Sequence, residues 1–304
     1  MTEQRITFAT AFYPIQSKFS SQKYIQWTSN FFSIVRQFYL VVFTDEITRI
    51  ALLKMTRGNP NIRIVVRDWS DFHGIKYLDF WKKNHEKNFL LKRTCWELNM
   101  LWNEKVWFVS DIIHTQYFPE TEYYGWVDIG YFRNEPDNIQ TSVLTKWANY
   151  NRLVSFSTDK VHYTMVNPIG FRLIKDLRKN GLGIPLQQTT VAGGFFFGGK
   201  DPLLQWRDIF TTKLEQYVLT GNLLRDDQII VIECLLEMGE TTPIVLHEGY
   251  GKMCSCQKCN HGKMVDAVYR QNMSIHYNNN SPFPLSCCHS AGIDDWFFFQ
   301  RLLA

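Results

Sequence analysis

The chain has 304 residues, 45% of them hydrophobic and 15% aromatic, with a formal charge of +4. That length supports one large α/β domain, alone or with an appendage. A small, dispersed positive excess with no basic tail argues against nucleic acid as a partner and suits an anionic small molecule. No apolar run reaches the roughly 18–20 residues of a membrane span, and the N-terminus, MTEQRITFATAFYP, lacks the apolar core of a secretory signal. The expectation is a soluble, cytoplasmic protein without a transmembrane segment; peripheral membrane contact stays open.

RITFATAFYP (5–14) has the apolar continuity of a buried strand ended by Pro14, and QKYIQWTSNFFSIVRQ (22–37) has helical spacing with a broad apolar face. FYLVVFTDE (38–46) is a second buried strand; a short helical piece, the turn RGNPN and a third strand, IRIVVRDW (62–69), follow. This β-α-β-α-β order with continuous apolar strands predicts a mixed, mainly parallel central sheet flanked by helices. Residues 70–92 read as irregular or partly helical, and TCWELNMLWNEKVWFVSDIIHT (94–115) as one long helix. Further strands are expected at YYGWVDIGYF, NRLVSFST (151–158), TTVAGGFFFGG (189–199) and TPIVLHEGYG (242–251). Helices are expected at 201–220, opened by Asp201 and Pro202, and at 225–239. Cys95 and Cys234 fall in apolar helical patterns and read as buried thiols.

Ligands of such sheets bind beyond the carboxyl ends of the strands. Thr10, with Ala11 and Phe12 behind it, Asp45 and Arg67 all lie at those ends and together suggest a nucleotide cleft; singly, each could equally cap a helix or pair with a neighbour. Asp128 is the anomaly of YYGWVDIGYFRN (123–134), since a carboxylate buried without a partner would be expensive or would take a proton. Neither G-x-G-x-x-G nor G-x-x-x-x-G-K-[ST] occurs, so no glycine-rich phosphate cradle is in view. A divalent metal held by a carboxylate would neutralise a nucleotide diphosphate instead, with Val127 fixing the strand end and Gly130 letting a ligand approach the backbone. A helix cap or salt bridge at Asp128 is the alternative.

TFATAFY, LVVFTD, LWNEKVWFV and WVDIGYFR, followed by AGGFFFGG and DDQIIV, resemble the HtrL/YibB-like family of GT-A nucleotide-diphospho-sugar transferases. The resemblance runs from about residue 5 to about residue 250 and is strongest at 126–133, 192–199 and 226–231. It implies a GT-A-like single domain over 1–250, a nucleotide-diphosphate sugar donor (UDP-sugar favoured), a glycan acceptor, and Mn²⁺ or Mg²⁺ at Asp128. Asp128 stands where such enzymes carry D-x-D, although Asp-Ile-Gly lacks the second carboxylate. His247 is the implied further metal ligand, with His276 and His289 as competitors, and Lys252 would reach a phosphate. Lys105 could approach the nucleotide, or be a solvated lysine or the partner of Glu104. Gly193 and Gly194 would line the donor-sugar pocket; close strand packing is their other explanation. Asp226 and Asp227 open a late helix, one as a cap and the other, Asp227, as a base for an inverting transfer.

CSCQKCNHG (254–262) and SCCHS (286–290) fall in a Cys/His-rich segment, 251–304, expected to pack on the same domain. Cys254, Cys256, Cys259 and His261 could hold a structural Zn²⁺; disulfides or free thiols are the alternatives. The leading expectation for the whole is a metal-dependent glycosyltransferase in glycan assembly at a cell or virion surface. The competing class is a non-catalytic carbohydrate-binding or scaffolding protein on the same fold.

Overall fold

The computed structural model describes residues 4–135, 139–180, 190–248 and 298–304. Among the described residues, seven strands form one sheet: β1 (Ile6–Ala11), β2 (Tyr39–Thr44), β3 (Ile62–Val66), β4 (Tyr123–Val127), β5 (Val161–Met165), β6 (Val191–Gly198) and β7 (Ile244–Glu248), in the spatial order β3-β2-β1-β4-β6-β5-β7. All neighbours pair in parallel except β6, which runs antiparallel to both β4 and β5. The mixed, mainly parallel sheet flanked by helices is therefore present.

The helices are α1 (Ser21–Ile34), α2 (Glu46–Thr56), α3 (Leu78–Glu86), α4 (Trp96–Asn103), α5 (Lys105–Thr115), α6 (Tyr150–Leu153), α7 (Pro168–Lys179), α8 (Lys200–Thr220), α9 (Asp227–Met238) and α10 (Phe298–Leu302). Strand alternation divides the buried side chains between two cores. Ala9, Val41, Phe43, Trp126 and Phe196 pack on one face against α4, α5, α8 and α9. Phe8, Leu40, Val42, Phe195 and Phe197 pack on the other against α1, Trp147 and α10. Phe299 is fully buried there, 4.9 Å from the Phe195 ring.

The reversed direction of β6 builds the site. β1, β2 and β4 end at one edge of the sheet, and β6 begins at that edge. Val127 thus pairs with Phe195, and the next residue, Asp128, donates its backbone N–H to Gly194 O at 2.8 Å.

Several expectations from the sequence change. The long helix 94–115 is two helices, α4 and α5, divided at Glu104 (φ −86°, ψ −9°). The break follows the polar chemistry: the Glu104 carboxylate is buried and accepts the N–H groups of His73 (2.7 Å) and Gly74 (3.0 Å). Residues 151–158 are not a strand. Asn149 caps the short α6 through Asn151 N–H, only Leu153 turns inward, and the strand comes later as β5. Helix α7 falls where no element was expected. Cys95 is the half-buried residue before α4, its thiol 3.4 Å from Gln16 O, whereas Cys234 is buried as expected.

Candidate functional site

A cavity of about 470 Å³ opens over the edge where β1 and β4 end and β6 begins. Ala11 at the end of β1 and Phe12 after it reach into its wall, Asp128 and Gly130 follow β4, and Gly193 and Gly194 lie near the start of β6. Lys105 comes from the start of α5, and Asp226 and Asp227 from the start of α9. The volume is in the range of small-ligand sites, roughly 300–1,000 Å³.

Lys105 organises this wall. Its ammonium, 4% exposed as a residue, lies 3.2 Å from Asp128 Oδ1 and 3.0 Å from Asp227 Oδ2, and donates to Gly193 O at 2.8 Å. Burial opposes its charge, but Asp128 and Asp227 outweigh burial and its pKa lies above the ordinary lysine value. The helix break explains the choice of partner: Glu104 turns to the loop at His73, while Lys105, the next residue, turns to the cavity. Asp227 is buried, and burial pushes its pKa up to about 6 against the pull of Lys105. Asp226 is held by Arg225, whose Nε donates to Oδ2 at 2.8 Å. Asp128 keeps partial solvent access, and its Oδ1 also accepts Trp126 Nε1–H at 2.6 Å.

The two glycines of β6 explain how the carboxylates come so close to a strand. A Cβ at Gly193 would lie 2.9 Å from Asp227 Oδ2, and one at Gly194 would lie 3.2 Å from Asp128 Oδ2. The later pair is packing: a Cβ at Gly198 or Gly199 would strike the backbone of Lys160 or Thr158.

Other candidates go elsewhere. Thr10 is fully buried beneath the wall, and its hydroxyl has no hydrogen-bond partner among the described residues. Asp45 caps α2 through Thr48 N–H at 2.7 Å. Arg67 pairs with Asp111 at 3.0 Å and lies over the rings of Phe43 and Phe108. Val127 is core, not lining. His247 on β7 is three strands from β4, roughly 14 Å at about 4.8 Å per strand, and its Nε2 meets His162 Nδ1 at 2.8 Å. The structure therefore does not bring His247 to Asp128. Lys252, His276, His289 and the segment with Cys254, Cys256, Cys259 and His261 lie outside the described residues.

Lys18, Arg133, Trp102, Trp27 and Tyr24 also line the cavity, and none of them is among the residues expected there from the sequence. The available signals were weak: Lys18 follows the first strand in a polar stretch, and Arg133 closes the quoted WVDIGYFR.

A divalent cation at Asp128 can be tested against these atoms. Oδ1 is engaged by Lys105 and Trp126, and no hydrogen bond to Oδ2 occurs among the described residues. One carboxylate oxygen fits Mg²⁺ or Mn²⁺ that takes its remaining ligands from water and phosphate. It does not make a cage of protein alone, and no group of three or more His, Cys, Asp or Glu suited to an ion occurs among the described residues. Nor is any helix among them long and apolar enough to cross a membrane.

No curated protein matches the chain. Among solved structures, mouse xyloside xylosyltransferase 1 in its apo form is 10% identical, covers 88% of this chain and 92% of its own, and has a TM-score of 0.42. Core-mannan synthase A from Aspergillus fumigatus, in a Mn/GDP form, is 10% identical over 86% and 80%, with a TM-score of 0.47. The 4-diphosphocytidyl-2C-methyl-D-erythritol synthase of Anaerococcus prevotii is 10% identical over 81% and 89%, with a TM-score of 0.36. Likenesses this distant leave the chemistry to be read from the site itself. Sequence is more informative about kinship: residues 72–259 match a family described as "Bacterial protein of unknown function (HtrL_YibB)". That match covers more than half of the chain and takes in Lys105, Asp128, Gly193, Gly194 and Asp227 together, so the chain belongs to the HtrL_YibB family.

Proposed function

We propose that the protein is a glycosyltransferase that moves a sugar from a nucleotide-diphosphate donor, a UDP-sugar in the first instance, to a hydroxyl group of a glycan acceptor. The observation that carries this reading is the pair of carboxylates, Asp128 and Asp227, joined by one buried ammonium on the wall of a ligand-sized cavity. Their surroundings differ, and so do their roles. Asp128 is half-open at a strand end, where a nucleotide diphosphate belongs in a sheet of this kind. A divalent cation held there would add positive charge at the departing diphosphate.

Asp227 is enclosed and its pKa of about 6 suits a general base near neutral pH. It takes the proton of the acceptor hydroxyl as that oxygen bonds to the anomeric carbon. The bond from that carbon to the diphosphate oxygen breaks, and the nucleotide leaves with the electron pair. One base and a single displacement give inversion. Lys105 holds both carboxylates in place, and Gly193 O fixes Lys105 in turn. Asp226, the residue before α9, gives its carboxylate to Arg225 and makes no side-chain cap on the helix.

A thermal-shift panel of nucleotide diphosphates and their sugars, each with and without Mn²⁺, tests the reading. A ligand that binds only the native state raises the melting temperature with its occupancy. One nucleotide should stabilise the chain, Asp128→Ala should remove the effect, and Asp227→Asn should keep it while abolishing transfer. If no nucleotide shifts the melting temperature with any metal, the proposal fails.

A further inference from the structure

One turn carries as much net charge as the whole chain. Residues 82–93, KKNHEKNFLLKR, run from α3 through the turn that leads to α4. Lys82, Lys83, Lys87, Lys92 and Arg93 are all exposed, and Glu86 is the one acidic residue among them. Five cations and one carboxylate leave +4, equal to the formal charge of all 304 residues. None of the five makes an ion pair among the described residues. Lys82 lies 5.8 Å from the centre of the Trp96 ring, a contact that does not cancel its charge.

Between these cations the turn shows two large apolar side chains to solvent. Phe89 is 60% exposed and Leu91 46%, whereas Leu90 between them is 5% exposed. The exposure is built in by the backbone. Buried Asn88 accepts Leu90 N–H on Oδ1 at 3.0 Å and donates from Nδ2 to Arg225 O at 3.0 Å. Leu90 O in turn accepts the N–H groups of Arg93 and Thr94, at 2.8 and 3.0 Å. With Leu90 committed to the interior, its two neighbours stay outside. Asn84 on α3 donates to Leu224 O at 2.7 Å, so the patch is fastened to the chain that leads into Asp226 and Asp227. A Phe and a Leu side by side in water are unfavourable unless an apolar phase receives them.

Apolar side chains ringed by unpaired cations complement a surface that has anionic groups above hydrocarbon, as an anionic lipid bilayer does. A nucleic-acid duplex would meet the cations and leave Phe89 and Leu91 in water. We infer that the surface formed by residues 82–93 docks the protein on an anionic lipid bilayer. Phe89 and Leu91 enter the boundary between headgroups and acyl chains, and the five cations meet the lipid phosphates. The docking rests on this surface alone and not on the function proposed above.

Co-sedimentation of the full chain with vesicles, in the absence of nucleotide, tests it. The vesicles are phosphatidylcholine alone, or phosphatidylcholine with about one third phosphatidylglycerol. The wild type should bind the mixed vesicles and not the neutral ones, and should bind less as salt rises to about 0.5 M. Lys92→Gln with Arg93→Gln should weaken binding roughly twenty-five-fold, about fivefold for each cation. Phe89→Ser should weaken it about tenfold. Leu219→Ser, at an exposed aliphatic on α8 with no cation within five residues of it in the chain, should change nothing. Melting temperatures check that each variant keeps its fold. A wild type that ignores the mixed vesicles overturns the proposal, and so does binding that survives the changes at 89, 92 and 93. If the charge variant loses the vesicles while Phe89→Ser binds them like wild type, the surface is a general polyanion site, which duplex DNA as a probe would also reveal, and docking by insertion is overturned.

Discussion

Two groups of buried titratable side chains lie within one sheet, and the fold deals with them differently. Where β4 ends, Lys105 joins Asp128, Asp227 and Gly193 O, and the group borders a cavity. On β5 and β7, His162 and His247 share a 2.8 Å hydrogen bond, the other His162 nitrogen meets Ser157 O at 2.8 Å, and the rings of Phe156 and Phe299 pack against His247. The histidine pair answers its polarity with the protein's own atoms and aromatic faces. The lysine group keeps a half-exposed carboxylate toward solvent. What separates a site from a satisfied interior is polar capacity left facing open space, and residue type alone does not show it.

The largest effect that sharpens this contrast comes from Lys105. Lys105→Met leaves Asp227 buried without its cation, a loss of about 3–5 kcal/mol for breaking a buried pair. Chemical denaturation should show that loss, and transfer should disappear with it. Adding Asp227→Asn to Lys105→Met removes the stranded charge and should restore much of the stability. No recovery in the double variant would mean that Lys105 is held mainly by packing.

Asp227→Asn alone should lower the transfer rate by at least about a hundredfold while nucleotide affinity holds. In the wild type the rate should climb as pH rises through about 6, where the Asp227 carboxyl loses its proton. Its stability effect has the opposite direction. Burial raises the folded pKa from 3.8 to about 6, so the contribution is complete below 3.8 and is lost as pH rises through about 6. The Asn variant should lack that decline, which a melting-temperature series over pH would show.

The glycines of β6 divide the two carboxylates more finely. In Gly193→Ala the new methyl stands 2.9 Å from Asp227 Oδ2, and in Gly194→Ala it stands 3.2 Å from Asp128 Oδ2. Small displacements of positioned groups reduce rates by about tenfold or more. The first variant should lower kcat and the second should raise KM for the donor. Equal effects of both on kcat and KM would mean that the two carboxylates act as one unit.

The legible parts of the molecule were those fixed by local pattern. Continuous apolar runs located β1, β2 and β3, and Asp128 stood out because its neighbours were apolar. Paired glycines before three phenylalanines marked β6, although only the antiparallel pairing with β4 shows that Gly193 and Gly194 accommodate two different carboxylates. Asp45 and Arg67 illustrate the limit: residues at strand ends qualify for a cleft by position, but a free N–H at Thr48 and a carboxylate at Asp111 claimed them first. Lys18 and Arg133 were invisible because what distinguishes them is the aromatic ring beneath each cation, and Trp102 and Trp27 are remote from them in the chain or on another element. The break at Glu104 was hidden for a similar reason: helical periodicity persists across it, and the backbone N–H groups that donate to Glu104 come from 31 and 30 residues earlier.

The histidine pair provides the smallest effect and the test most able to break the comparison. Burial and the neighbouring His162 lower the His247 pKa from 6.5 to about 4. A depressed histidine pKa favours the neutral folded form, so its contribution is complete above 6.5 and is lost as pH falls through about 4. This runs against Asp227, whose contribution grows over the same interval as pH falls. His247→Asn should therefore flatten the acid loss of stability and leave in view the decline that Asp227 causes as pH rises through about 6, with nucleotide binding and transfer at neutral pH unchanged. If His247→Asn instead abolished a Mn²⁺-dependent shift given by a nucleotide, His247 would belong with Asp128 after all. β7 would then have to approach β4 when ligand binds, and the separation of three strands seen in this sheet would describe only one state of the molecule.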